Sequence, residues 1–185
     1  MRTLGRRTRA TGFTLLETAL AIVIVGTGVL AIMYAQQAFH QQNSWSSKLA
    51  TGMYLANEIR EMTLYMPRYD PITQTNTWGP ESDELYLEDY DDLDDFDGLA
   101  GSGVIFSGDS GSGPINSMRD VISDMPGWAQ SVRVYNVDPS DISADGNEAL
   151  DGTTSMIRVE VSITYQSQAD NEPMEICNMS WLSAK

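Results

Sequence analysis

The sequence predicts an α+β protein: a long N-terminal helix with a transmembrane first half, packed through its second half on a small antiparallel β-sheet. Three observations carry this. Residues 13–34, FTLLETALAIVIVGTGVLAIMY, hold Glu17 as their only charge, and no proline occurs from Phe13 to Met66. In the following stretch, Trp45, Leu49, Gly52/Met53, Ala56, Ile59, Thr63 and Met66 recur at three- and four-residue steps, the stripe of an amphipathic helix. Ile157, Val159, Val161, Ile163 and Tyr165 alternate with Arg158, Glu160, Ser162, Thr164 and Gln166, the period-two pattern of a half-buried strand.

In chain order, residues 1–12 are a basic leader and contain Arg2, Arg6, Arg7 and Arg9 with no acid. Residues 13–34 follow as the transmembrane half of the helix; at about 1.5 Å per residue they span roughly 33 Å, enough for a hydrocarbon core of about 30 Å. The leader's charge places it on the cytoplasmic side and the remainder outside. Residues 35–66 form the amphipathic half, which Pro67 stops. Residues 67–128 read as an irregular, acidic, Gly/Pro-rich connection. The sheet region is 129–185: a first strand around Val132 and Val134, the alternating strand at 157–165, and a less regular one at 174–183.

Composition excludes several functions. The chain of 185 residues has 11 basic and 26 acidic side chains, a net charge of −15. Everything after the leader repels phosphate backbones, which argues against nucleic acid as a partner of the acidic domain. The single Cys177 rules out an internal disulfide and a cysteine zinc cluster, and reads as a small core residue. The single His40 leaves little room for histidine acid–base chemistry and reads as an interfacial polar residue. No catalytic residue, enzyme activity or cofactor is expected.

The apolar run is not an ordinary cleaved signal. Met33–Tyr34–Ala35 is a poor match to a small-x-small cleavage site, and the cysteine of a lipoprotein signal is missing there. Glu17 lies within the first two turns of a membrane helix, where a charge costs about 2.5–3.5 kcal/mol and needs a partner.

The Arg-rich leader, then Gly12-Phe13-Thr14-Leu15-Leu16-Glu17, then the apolar helix resembles the N-terminal signal of type IV prepilins and type II secretion pseudopilins. The resemblance covers about 30 residues. It implies a pilin-like fold, cleavage between Gly12 and Phe13 by a prepilin peptidase, and N-methylation of Phe13. Glu17 would act in assembly by neutralising the amino terminus of a neighbouring subunit. The implied partners are the prepilin peptidase, other pilin or pseudopilin subunits, the inner-membrane assembly platform and the membrane. The implied location is the bacterial inner membrane, single-pass, with the N-terminus cytoplasmic and the C-terminal domain extracytoplasmic, and then a pilus or pseudopilus. Asp91-Asp92-Leu93-Asp94-Asp95-Phe96-Asp97-Gly98 and Pro126-Gly127-Trp128 are similar to segments of minor pilins of mannose-sensitive haemagglutinin-type pili. The chain departs from the family in lacking a cysteine pair near its carboxyl end. The competing reading is a single-pass anchored extracytoplasmic acidic module that binds a cation or a basic partner.

Residues 81–97 hold ten acids and no base. As a Ca²⁺ loop they fail the EF-hand spacing, because aligning Gly98 puts Leu93 at the first ligand position. Asp141, Ser143, Asp145 and Gly146 start such a loop better, yet its twelfth position is Gly152. The segment is therefore read as a solvated acidic loop without metal, with Asp92, Asp94, Asp95 and Asp97 the candidate ligands should Ca²⁺ bind.

Overall fold

The computed structural model describes residues 12, 14–68, 70, 71, 78–84, 86–143 and 148–183. The expectations for the leader arginines and Phe13 lie outside these residues, as do those for Asp145 and Gly146. The protein is α+β. Helix α1 (Leu15–Thr63) is followed by two 3-10 turns (Asp94–Asp97 and Leu99–Gly101) and by strands β1 (Val104–Ser107), β2 (Trp128–Val137), β3 (Met156–Tyr165) and β4 (Met174–Ser183). The chain divides into two units between Ser46 and Ser47.

The first unit is helical from Leu15 onward and exposes its apolar side chains, Leu15, Ile22 and Tyr34 among them. It is long and apolar enough to cross a membrane. Its threonines fit that use, because their hydroxyls are satisfied inside the helix. Thr18 Oγ1 donates to Leu15 O at 2.9 Å, and Thr27 Oγ1 to Val23 O and Ile24 O, both at 3.0 Å.

The second unit is built on an antiparallel meander in the order β1-β2-β3-β4. Val132 lies opposite Val161 and Val134 opposite Val159, so the alternating residues of β2 and β3 share one face. Gly52, Leu55, Ala56, Ile59, Met62 and Thr63 of α1 are buried, and the helix contributes to one core with these strands. The stripe read from the sequence holds for Gly52, Ala56, Ile59, Thr63 and Met66, with Leu49 half-buried against the same core, and gains Leu55 and Met62. Trp45 and Met53 fall outside it, at 43% and 48% exposure. Periodicity continues along a helix whether or not a sheet covers it, and the buried face here begins at Gly52.

At β4 the pairing skips a residue: Ile163 faces Cys177 and Thr164 faces Glu175, leaving Ile176 as a bulge. Ile176 is buried, and a Cβ placed on Gly52 would lie 2.9 Å from its Cγ2. The bulge explains why 174–183 read as irregular. It breaks the alternation to send Ile176 against the helix at Gly52.

Two differences from the sequence reading concern 67–128. The sheet is not confined to 129–185, since β1 lies within the connection and pairs with β2. Nor is the acidic stretch solvated throughout: Asp83, Glu88 and Asp89 are exposed as expected, but 92–97 are buried. Leu93 and Phe96, one turn apart, are buried in the core at 1% and 0% exposure, and Asp92, Asp94, Asp95 and Asp97 are drawn in with them. Gly98 and Gly103 make that placement possible. Both have positive φ (66° and 70°), and a Cβ would meet Gly103 O at 2.6 Å and Val132 O at 2.5 Å respectively.

Candidate functional site

The acidic segment is anchored by apolar contacts and its carboxylates follow. Phe96 meets Tyr90 edge-on at 5.3 Å between ring centroids, and Leu93 N donates to Pro67 O at 3.0 Å just past the end of α1. Between these anchors the carboxylates cap the turn. Asp95 Oδ2 accepts from Asp91 N at 2.9 Å and Asp92 N at 3.1 Å; Asp92 Oδ1 accepts from Asp94 N at 3.1 Å and Asp95 N at 3.3 Å.

The four candidate aspartates separate into two pairs. Asp94 turns one oxygen to Gly79 N at 3.2 Å, and Asp97 accepts from Trp78 Nε1 at 2.7 Å, so these two help fix the preceding segment. Asp92 and Asp95 converge instead with residues the sequence had not singled out. Asp91, Asp92 and Asp95 each bring an oxygen within 4.8 Å of the others, and so do Glu81, Glu84 and Asp95. No linear motif reveals this set, because its members belong to two turns brought together by folding; the density of acids was the one signal available.

The electrostatics are those of like charges removed from water. Asp92 and Asp95 are pushed up to about 8, first by burial and then by neighbouring carboxylates, Asp94 and Glu84 among them. Glu81 is pushed up to about 7 by burial and by Glu84 beside it, and Asp94 to about 6 by burial. Glu81 Oε2, Asp91 Oδ1, Asp94 Oδ1 and Asp95 Oδ1 are buried without a hydrogen-bond partner. Among the described residues none of these carboxylates forms an ion pair; the two pairs present are Arg60–Glu61 and Arg133–Glu148. Asp91 is raised as well, by burial and by neighbouring carboxylates, against the opposing charge of Arg119, whose Nη1 donates to Leu87 O at 3.0 Å and Glu88 O at 3.4 Å.

Comparison with protein families, characterised proteins and solved structures gives no match. Function rests on the chain's own chemistry.

At the amino end, Thr14 and Glu17 form a reciprocal cap on α1. Thr14 N donates to Glu17 Oε2 at 3.2 Å, and Glu17 N donates to Thr14 Oγ1 at 3.3 Å. Thr14 O accepts the first helical bond, from Thr18 N at 3.2 Å. Beside the inter-subunit role expected of Glu17 stands this local one, whose signature is Thr-x-x-Glu before an apolar run. Gly12, the residue before the expected cleavage point, is exposed. Cys177 is half-buried, with its thiol pushed up by burial and by Glu175, the opposite of an activated nucleophile. His40 stands on the exposed helix of the first unit.

Proposed function

We propose that the chain is a structural subunit, a minor pilin or pseudopilin, of a type IV pilus or type II secretion-like filament. It is stored as a single-pass inner-membrane precursor with a pilin-like fold, cleaved between Gly12 and Phe13, methylated on Phe13, and assembled through α1 into the filament. It is not an enzyme in this reading; the peptidase, sibling subunits and assembly platform are its partners.

The observation that carries the proposal is the division of labour along α1. Its apolar first part is exposed throughout, while its continuation completes the core of an α+β domain. An unburied apolar helix of that length needs lipid or other helices around it. A filament core supplies the second environment after the membrane has supplied the first. The Gly12–Glu17 sequence at its start supports that reading over a plain anchor.

The test is the intact mass of the full chain recovered from a host that has the prepilin peptidase. Loss of residues 1–12 and gain of one methyl group on Phe13 are expected. A mature chain that keeps Arg2 through Gly12 overturns the filament reading and leaves the anchored acidic module in its place.

A further inference from the structure

Asp95 is fully buried, and its Oδ1 has no partner, since both backbone donors of the turn bond Oδ2. It is also the carboxylate common to both converging groups, with Glu81 and Glu84 on one side and Asp91 and Asp92 on the other. We propose that this cluster binds Ca²⁺, with Asp95 the ligand shared by the Glu81–Glu84 group and the Asp91–Asp92 group. The assignment is independent of the filament reading.

Three lines of chemistry lead to it. A buried carboxylate oxygen without a donor is strongly unfavourable, and only a proton, a donor or a cation can relieve it. None of the donors seen nearby reaches it: the turn's N–H groups bond Oδ2 of Asp95 and Oδ1 of Asp92, and Nη1 of Arg119 bonds two carbonyls. The separations also allow a shared ion, since within each group the carboxylate oxygens lie no more than 4.8 Å apart. Calcium further tolerates an all-protein set of clustered carboxylates, whereas Mg²⁺ keeps several waters.

The ligands join the 81–84 turn to the 91–95 turn, so the bound ion fastens the first to the second, which Leu93 and Phe96 already hold in the core. It thereby replaces mutual repulsion by a shared counter-charge.

The full chain in detergent micelles, freed of metal by chelator, is titrated with CaCl₂ by calorimetry at physiological salt and melted with and without the ion. One Ca²⁺ per chain with a Kd below about 1 mM is expected, together with a melting temperature that rises with Ca²⁺ and falls again with chelator. Asp95→Asn should fold, because its amide oxygen can still accept from Asp91 and Asp92 N–H, yet bind Ca²⁺ at least about a hundredfold more weakly. Glu84→Gln, on the less buried side, should also weaken binding while leaving the turn capped. No saturable uptake by the wild-type chain overturns the site. So does uptake that both variants retain in full. Mg²⁺ binding as tight as that of Ca²⁺ overturns the calcium assignment.

Discussion

Glu17→Gln separates the two roles that one carboxylate can have at the start of α1. As a cap, Glu17 accepts from Thr14 N at 3.2 Å and from Thr14 Oγ1 at 3.3 Å. These contacts are long and exposed, so they belong at the low end of capping energies, about 0.5–1 kcal/mol. As the counter-charge of a neighbour's processed amino terminus in an apolar core, its removal strands a buried ammonium and costs about 3–5 kcal/mol. At about 1.4 kcal/mol per tenfold, that is at most a fewfold effect for the cap against two to three and a half orders of magnitude for the pair. Glutamine keeps a side-chain acceptor for the cap and drops the charge; leucine removes both. Both variants should insert and be cleaved normally, since losing a charge makes membrane insertion easier. Both should be depleted at least about a hundredfold from sheared filaments relative to the membrane fraction, with Glu17→Asp between them and wild type. If Glu17→Gln enters filaments as wild type does while Glu17→Leu does not, capping is the whole role and the inter-subunit pairing is wrong.

Two further outcomes concern the folded domain. Gln130 is fully buried on β2; its Oε1 accepts from Ile115 N at 2.7 Å and its Nε2 donates to Ile115 O and Leu55 O, both at 3.0 Å. Gln130→Met keeps the volume but strands the buried peptide groups of Ile115, so a loss of about 2–5 kcal/mol is expected in denaturant unfolding, and a loss under about 1 kcal/mol would show that these bonds do not hold the 115 loop. In the metal-free chain, folded-state values near 8 for Asp92 and Asp95 and near 7 for Glu81 lie above the ordinary carboxylate range. Such groups contribute stability that is present below about pH 4 and lost as pH rises through their folded values, so chelator-treated protein should become steadily less stable from about pH 4 to 8, and a rise over that window refutes the burial argument.

How much of this was legible beforehand follows from which signals are local. The alternation at 157–165 is a local pattern, and β3 runs Met156–Tyr165 as that pattern requires. The apolar run and the missing prolines are local as well, and α1 reaches Thr63, three residues short of the expected end. Burial of the acidic stretch depends on partners far away in sequence. Ten acids in a row of seventeen look solvated until Leu93 and Phe96 are seen as a pair one turn apart that fits the core. Gln130 was equally invisible, because its value lies in Ile115 and Leu55, which only the fold brings to it. The Thr14–Glu17 cap, by contrast, is a local signal, a Thr three residues before a Glu at the start of an apolar run.

The acidic cluster also changes what a net charge of −15 means for this domain. A surface of acids would only repel, and salt would screen it. The buried carboxylates of Asp92, Asp94, Asp95 and Asp97 are poorly screened, so their repulsion acts directly on the fold. Basic side chains could relieve it, but most of the described ones are engaged elsewhere. Arg133 pairs with Glu148, Arg60 with Glu61, Lys48 lies over the Tyr165 ring at 4.4 Å, and Arg158 donates to Ile142 O at 2.6 Å. Two routes to neutrality then compete at the cluster, protonation and cation binding, and they respond oppositely to conditions. Protons are bound tightly only while no cation is present, and a divalent cation should expel them as it binds. Calcium titrated into weakly buffered metal-free protein near pH 7 should therefore release protons, measurable as a buffer-dependent heat. A binding heat that is the same in buffers of different ionisation enthalpy would mean that the carboxylates were already ionised, and that their burial is less costly than their surroundings imply.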